Sequence, residues 1–142
     1  MANSATLTLH KAAGEALRFD AVAGSGQATV VDSGPGMIAP SPIEALLIAL
    51  AGCTAMDVIS ILRKKRERVT GYTVTISGDR RAEHPKAYTQ IALMHRFRGH
   101  ELNPEAIAHA IDLSHTKYCS VRGCLDPAIP VTNRFEITPE LA

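Results

Sequence analysis

Tryptophan is absent, and only three Phe and three Tyr occur in 142 residues. A stacking platform for single-stranded nucleic acid is therefore not expected. Excess charge is missing too: 15 basic and 14 acidic residues leave a formal net charge of +1. That balance argues against a phosphate-binding surface or a polybasic membrane patch, so neither nucleic acid nor membrane is an expected partner. The opening residues, MANSATLTLHK, carry no apolar signal core, so a cytoplasmic location is expected. No Ser-His-Asp order, phosphate loop or dinucleotide fingerprint is present, and no cofactor is expected. Cysteine is sparse and odd in number, at positions 53, 119 and 124. Without an export signal, reduced thiols with a chemical role fit better than a disulfide framework.

Against these absences stands one long apolar stretch, SPIEALLIALAGCTAMDVISILRKKRER, from Ser41 to Arg68. Ser41 can cap a helix, Pro42 suits its first position, and Glu44 completes an S-x-x-E box. The basic cluster at the far end suits a helix C-terminus. At 1.5 Å per residue the helix would span about 35 Å. Glu44 and Asp57 leave twelve residues between them (57 − 44 − 1), too few to cross about 30 Å of hydrocarbon. A buried helix of a soluble domain is the reading that follows.

The rest of the chain reads as strands around helices, within the size of one domain, residues 1–142. Alternation marks strands over ATLTLHK, ALRFDAVA and QATVVD, with Gly24 to Gly26 as a turn. SGPGMIAPSP, rich in proline and glycine, is an ordered connector to the Ser41 cap. Gly71 is expected to break the helix, with YTVTISGDRRAE and TQIALMHRFRG as an antiparallel pair. Asn103-Pro104-Glu105 starts a second helix that turns Ile107, Ala110, Ile111 and Ser114 or His115 inward. VTNRFEIT closes the chain as a strand. Helices among mostly antiparallel strands indicate an α+β fold.

Cys53, in the middle of the long helix, is either inert packing or a reactive thiol. Gly52 and Thr54 leave room around it. Asp57, four residues on, shares nearly the same helix face, and a carboxylate there disfavours a thiolate unless a cation offsets it. Glu44 lies nine residues before Cys53 (53 − 44), so about 900° of rotation sets the two on opposite faces. A capping role for Glu44 follows from its position. Cys119 and Cys124 form a C-x4-C pair with His115 upstream, a weak pattern for zinc because C-x2-C hooks are lacking. Cys119 follows a helix and precedes a short turn, where backbone N–H groups can acidify a thiol. His10, His84, His95, His100 and His109 are scattered and read as surface or satisfied structural residues.

SPIEALLIALAGCTAMDVISILRKKR, followed later by HTKYCSVRGCLDPAIPV, resembles the OsmC/Ohr family of peroxide-detoxifying proteins. The shared pattern is a proline-led helix with an internal cysteine and a second cysteine just after a later helix. The resemblance implies an intertwined homodimer whose two long central helices pack together inside mainly antiparallel sheets. It also implies reduction of an organic hydroperoxide: Cys53 peroxidatic, Cys119 resolving, and an external dithiol restoring both. In the family a glutamate directly after the helix-start proline helps fix an arginine over the thiol. Ile43 stands there in this chain, with Glu44 one residue later, and Arg18 is the arginine of the N-terminal strands. The candidate catalytic residues are therefore Cys53, Cys119, Glu44 and Arg18. Leu46, Leu47, Leu50, Met56 and Ile59 are expected either to offer an apolar wall to an organic hydroperoxide or to serve only as core. Ser120 takes the place of a frequent family proline. The Ile43 departure supports a second reading, a small-ligand or redox-sensing protein on the same dimer.

Overall fold

The computed structural model describes residues 1–11 and 14–141. Contacts divide the chain into two compact units, Met1–Leu46 and Leu47 onward. The first holds an antiparallel sheet of β1 (Ala5–Leu9), β2 (Phe19–Ala23) and β3 (Ala28–Val31), in that order. Thr6 pairs with Val22 and Asp20 with Val30, and Gly26, at φ +90°, makes the tight turn into β3. The first two strands are shorter than the alternation suggested, because His10 N–H already donates to the Arg18 carbonyl beyond the ladder.

Asp32 organises the connector that follows. Its buried carboxylate accepts from Arg18 Nε at 2.9 Å, from Ser33 N–H at 2.7 Å and from Ile38 N–H at 2.9 Å. The Ile38 amide and then Arg18 hold its pKa below the ordinary 3.8, against the opposing effect of burial. A proline-rich loop thus gains a fixed path, since its amides point at one anion.

α1 (Pro42–Lys64) starts where the sequence places it. Ser41 N–H and Oγ–H both donate to Glu44 Oε1 at 3.0 Å, and Glu44 N–H returns a bond to Ser41 Oγ at 3.3 Å. This reciprocal box satisfies amides that a helix start would leave unpaired. The same bonds lower the Glu44 pKa.

In the second unit, β4 (Arg68–Arg80) and β5 (Tyr88–His100) form a long antiparallel hairpin, and β6 (Val131–Pro139) lies parallel to β5 on its other side. A parallel neighbour needs a crossover. It runs through α2 (Pro104–Leu113), a π-helical turn at Ser114–Tyr118 and the short α3 (Ser120–Cys124). Asn103 caps α2, its side chain accepting from Glu105 N–H at 2.9 Å, with Pro104 at the first turn. The expected break at Gly71 is corrected. The helix ends earlier, through a reversal at Arg66 with φ +60°, and Gly71 lies inside β4 beside a register shift. The basic residues supply the helix end and the reversal, so alternation resumes before the glycine.

The core gathers Val58 and Leu62 of α1, Phe97 of β5, and Leu102, Ala106, Ile107, Ala110 and Ile111 in and before α2. His95 is the polar group buried within the sheet face. Its Nδ1 lies 2.6 Å from Tyr72 Oη and its Nε2 2.8 Å from Asn133 Oδ1. Burial lowers its pKa and raises that of Tyr72, so a neutral imidazole accepting from the phenol fits the site. His95 is a satisfied structural histidine.

α1 departs from the expectation of an all-round buried helix. Its buried residues are Leu50, Thr54, Val58 and Leu62, one per turn along a single stripe. The opposite side leaves Ile48 at 58% and Met56 at 72% exposure. The expected substrate wall does not form as one surface, because Leu50 is buried and Met56 points the other way.

The depressed Asp32 pKa gives a pH-dependent stability with a defined sign. A lowered native pKa stabilises the fold fully above the unfolded value, 3.8, and the contribution is lost as pH falls through the native value. Asp32→Asn is therefore expected to destabilise at neutral pH, with the gap to the unmutated protein closing in acid. Urea unfolding midpoints at a series of pH values check this. A gap that stays constant into strong acid contradicts it.

Candidate active site

Cys53 sits one residue before the buried Thr54, on the flank between the buried stripe of α1 and its open face. Asp57 follows one turn later, about 40° further round the helix. Both are partly exposed. Their partner arrives from the α2 crossover. The π-helical turn accommodates one extra residue relative to an α-helical turn, a device often found at functional positions. It closes with Cys119 N–H donating to the Ser114 carbonyl at 2.8 Å. Cys119 then caps α3, its Sγ accepting from Arg122 N–H at 3.4 Å and lying 3.6 Å from Thr54 Oγ1. Ser114, fully buried, donates its hydroxyl to Asp57 Oδ2 at 2.9 Å.

The two sulfurs and a carboxylate oxygen of Asp57 consequently all lie within 4.8 Å of one another. Both cysteines are free thiols. Cys119 is 6% exposed, and that burial raises its pKa above 9.0. The Arg122 amide and the Thr54 hydroxyl pull the other way, and the neighbouring Cys53 adds to the rise. At neutral pH Cys119 is a protonated thiol. Negative charge on either sulfur would stand beside the Asp57 carboxylate, and like charges at this range repel unless a cation intervenes. Among the described residues Asp57 makes no ion pair. A cavity of about 300 Å³ opens beside Asp57, lined by Asp57, Ser60, Ile61, Lys64, Leu113 and Tyr118.

Cys53 and Cys119 are thus brought together across 66 residues of sequence (119 − 53). Glu44 and Arg18 are engaged within the first unit. Glu44 is bound into the helix cap, and Arg18 is held by Asp32 and by the Gly36 carbonyl at 3.3 Å. The zinc pattern read from Cys119, Cys124 and His115 does not assemble. Among the described residues the one convergent donor group is Cys53, Asp57 and Cys119. Cys124 is exposed at the far end of α3, about 140° round the helical turn from Cys119. Sequence reasoning set Asp57 on the Cys53 face and Ser114 or His115 inward. It missed that the two meet, because the π-helical turn that aims Ser114 leaves no periodic signal. It also missed Asp32, whose only mark was its place before a Ser-Gly turn.

The sequence profile of the family described as OsmC-like protein matches residues 33–134. The protein YhfA of Escherichia coli K12 is 41% identical over 123 residues, covering 87% of this chain and 92% of that one. Among solved structures, a hypothetical protein from Aquifex aeolicus VF5 superposes with a TM-score of 0.83 at 28% identity, covering 99% of both chains. An organic hydroperoxide resistance protein OsmC from Legionella pneumophila superposes with a TM-score of 0.67 over 96% of this chain and 97% of that one, a likeness of fold at 14% identity. With a profile match over most of its length and a relative at this identity, the chain belongs to the OsmC-like protein family.

Proposed function

We propose that this protein reduces organic hydroperoxides with Cys53 as the attacking thiolate and Cys119 as the resolving thiol. The carrying observation is the approach of the two sulfurs to within 4.8 Å, from elements that share no local sequence. A disulfide needs about 2.05 Å, so the sulfurs close by at most about 2.7 Å. Cys53 Sγ attacks one oxygen of the substrate, an S–O bond forms, the O–O bond breaks and the alcohol leaves after taking a proton. The Cys119 sulfur then displaces water from the sulfenic acid, forming the disulfide. Two thiols are oxidised and one hydroperoxide is reduced. An external dithiol restores them by exchange. A structural neighbour named as an organic hydroperoxide resistance protein supports the same direction. In this reading Arg18 and Glu44 act from the first unit, fixing the loop through Asp32 and the start of α1.

The working form is a homodimer in which a second copy covers the open face of α1. Ile48 and Met56 are exposed there, and a β-carbon on Gly52 would meet nothing within 4 Å. Leu7, Leu9 and Val22 of the first sheet are also half open. Taken over its whole length, with Glu44 and Asp57 counted in, α1 is long and apolar enough by composition to cross a membrane, contrary to the expectation from the twelve residues between those two carboxylates. Val58 and Leu62 of its buried stripe join the core with α2 and β5, and Asp57 in its second half is bonded to Ser114, which favours a protein cover over lipid.

Reduced protein given one equivalent of cumene hydroperoxide is expected to lose the mass of two hydrogens, mapped to a Cys53–Cys119 bond. Cys53→Ser should stop turnover with a dithiol. Because burial keeps Cys119 protonated, disulfide closure should accelerate as pH rises, up to about tenfold per unit below its pKa. Unchanged mass beside a co-purified small molecule would instead favour a ligand-binding role. For assembly, sedimentation of the unmutated chain should give about twice 15.2 kDa, and Met56→Asp should shift it toward the monomer. A monomer before mutation, or extraction only with detergent, rejects the dimer.

A further inference from the structure

Hydroperoxide chemistry uses the two sulfurs but leaves the third member of the cluster without a task. Asp57 is held in place by a fully buried serine, within 4.8 Å of both thiols. Three groups that each become anionic on losing a proton converge, and no ion pair among the described residues answers Asp57. Lys64 shares a cavity wall with Asp57, yet forms no ion pair with it. Such an arrangement is costly as a bare cluster and favourable around a cation.

We propose that Cys53, Asp57 and Cys119 form a binding site for one zinc ion. Cys53 and Asp57 stand four residues apart on one helix, the spacing that lets two side chains on one face share a ligand. Cys119 supplies the third donor from the crossover. In a tetrahedral site with Zn–S about 2.3 Å and Zn–O about 2.1 Å, donor atoms lie roughly 3.5–3.8 Å apart. The observed spacing, within 4.8 Å, therefore has to close by at most about 1.3 Å. Two thiolates and one carboxylate suit a borderline-soft ion that accepts four ligands, with water in the fourth place. They do not suit magnesium or calcium, which demand mostly oxygen and higher coordination.

The outer contacts match what a metal site requires. Ser114 Oγ–H orients the Asp57 carboxylate, and the Arg122 amide and Thr54 hydroxyl both reach Cys119 Sγ. Hydrogen bonds of this kind fix ligand geometry and offset thiolate charge. The bound ion supplies the positive charge that a Cys53 thiolate beside Asp57 lacks within its own helix.

Zinc and hydroperoxide then compete for the same sulfurs, a coupling that rests on the peroxidase reading although the metal site itself does not. One hydroperoxide, two zinc-bound thiolates and two protons give the alcohol, water, the disulfide and free zinc. The disulfide has no thiolates left to bind metal.

The test is a titration of reduced, metal-stripped protein with cobalt(II), a spectroscopic stand-in for zinc, followed by zinc against a chromophoric chelator. Expected are one ion per chain, a sulfur-to-cobalt charge-transfer band, and loss of that band on adding zinc. Cys53→Ser and Cys119→Ser should each diminish the band. Asp57→Asn, which keeps both thiols, should weaken zinc by at least about tenfold. Cys124→Ser should change nothing. Zinc affinity no higher than that of the Cys53→Ser, Cys119→Ser double variant overturns the site, as does loss of binding in Cys124→Ser. A peroxide-driven disulfide without metal binding removes this inference and leaves the peroxidase reading intact. Metal binding without that disulfide does the reverse.

Discussion

A helix placed against one side of a sheet-and-helix layer can bury only one stripe on its own chain, and α1 commits that stripe to Leu50, Thr54, Val58 and Leu62. Steps of four residues drift slowly round the helix, so Val58 and Leu62 reach the core with α2 and β5 while Thr54, a turn earlier, meets Cys119. The stripe decides almost everything near the site. Because Thr54 is buried within it, its hydroxyl needs a partner, and the Cys119 sulfur is that partner. Because Cys53 precedes Thr54 by one residue, it falls on the flank, close enough to the crossover to meet Cys119 and open enough to admit a substrate. Moving the stripe by one residue would bury Cys53 and expose Thr54.

Local signals carried much of the fold. The Ser41–Glu44 box, the Asn103 cap with Pro104, and the alternation across β4, β5 and β6 are interactions within a few residues, so their pattern is written in the chain. The places where reading and structure part are long-range or irregular. Composition showed that α1 is apolar all round, but which face its own chain covers depends on where α2 and β5 lie. A glycine within a strand looks like a helix breaker until the reversal at Arg66 is seen. The π-helical turn has no period to detect, yet it sets Ser114 against Asp57 and Cys119 against Thr54. That the thiols meet was implied by family resemblance and not by any property of the residues between them.

The site also shows why a thiol pair is insufficient as a description. Cys119 is buried and kept protonated, and a carboxylate presses close to both sulfurs. In the resembled peroxidases an arginine answers this charge. Here Arg18 donates to a buried carboxylate of its own, Asp32, and Glu44 spends both of its bonds on the helix start. Arg18 thereby holds the loop around Asp32, and Glu44 holds the start of α1. The electrostatic need at the thiols is separate, and Asp57 makes it sharper because its position is fixed by a serine that has no freedom to move away.

In the proposed dimer, the flank position of Cys53 would tie assembly to chemistry. About 80° of helix surface separates it from the middle of the open face at Ala45, Gly52 and Met56. Small side chains on that face permit close approach of another helix, and close approach would narrow the path to Cys53 from one side while leaving the Asp57 side with its cavity. A helix that gives one stripe to the core and, in the proposed dimer, another face to a second copy keeps only its flanks for chemistry. The four-residue spacing from Cys53 to Asp57 keeps both groups on one such flank.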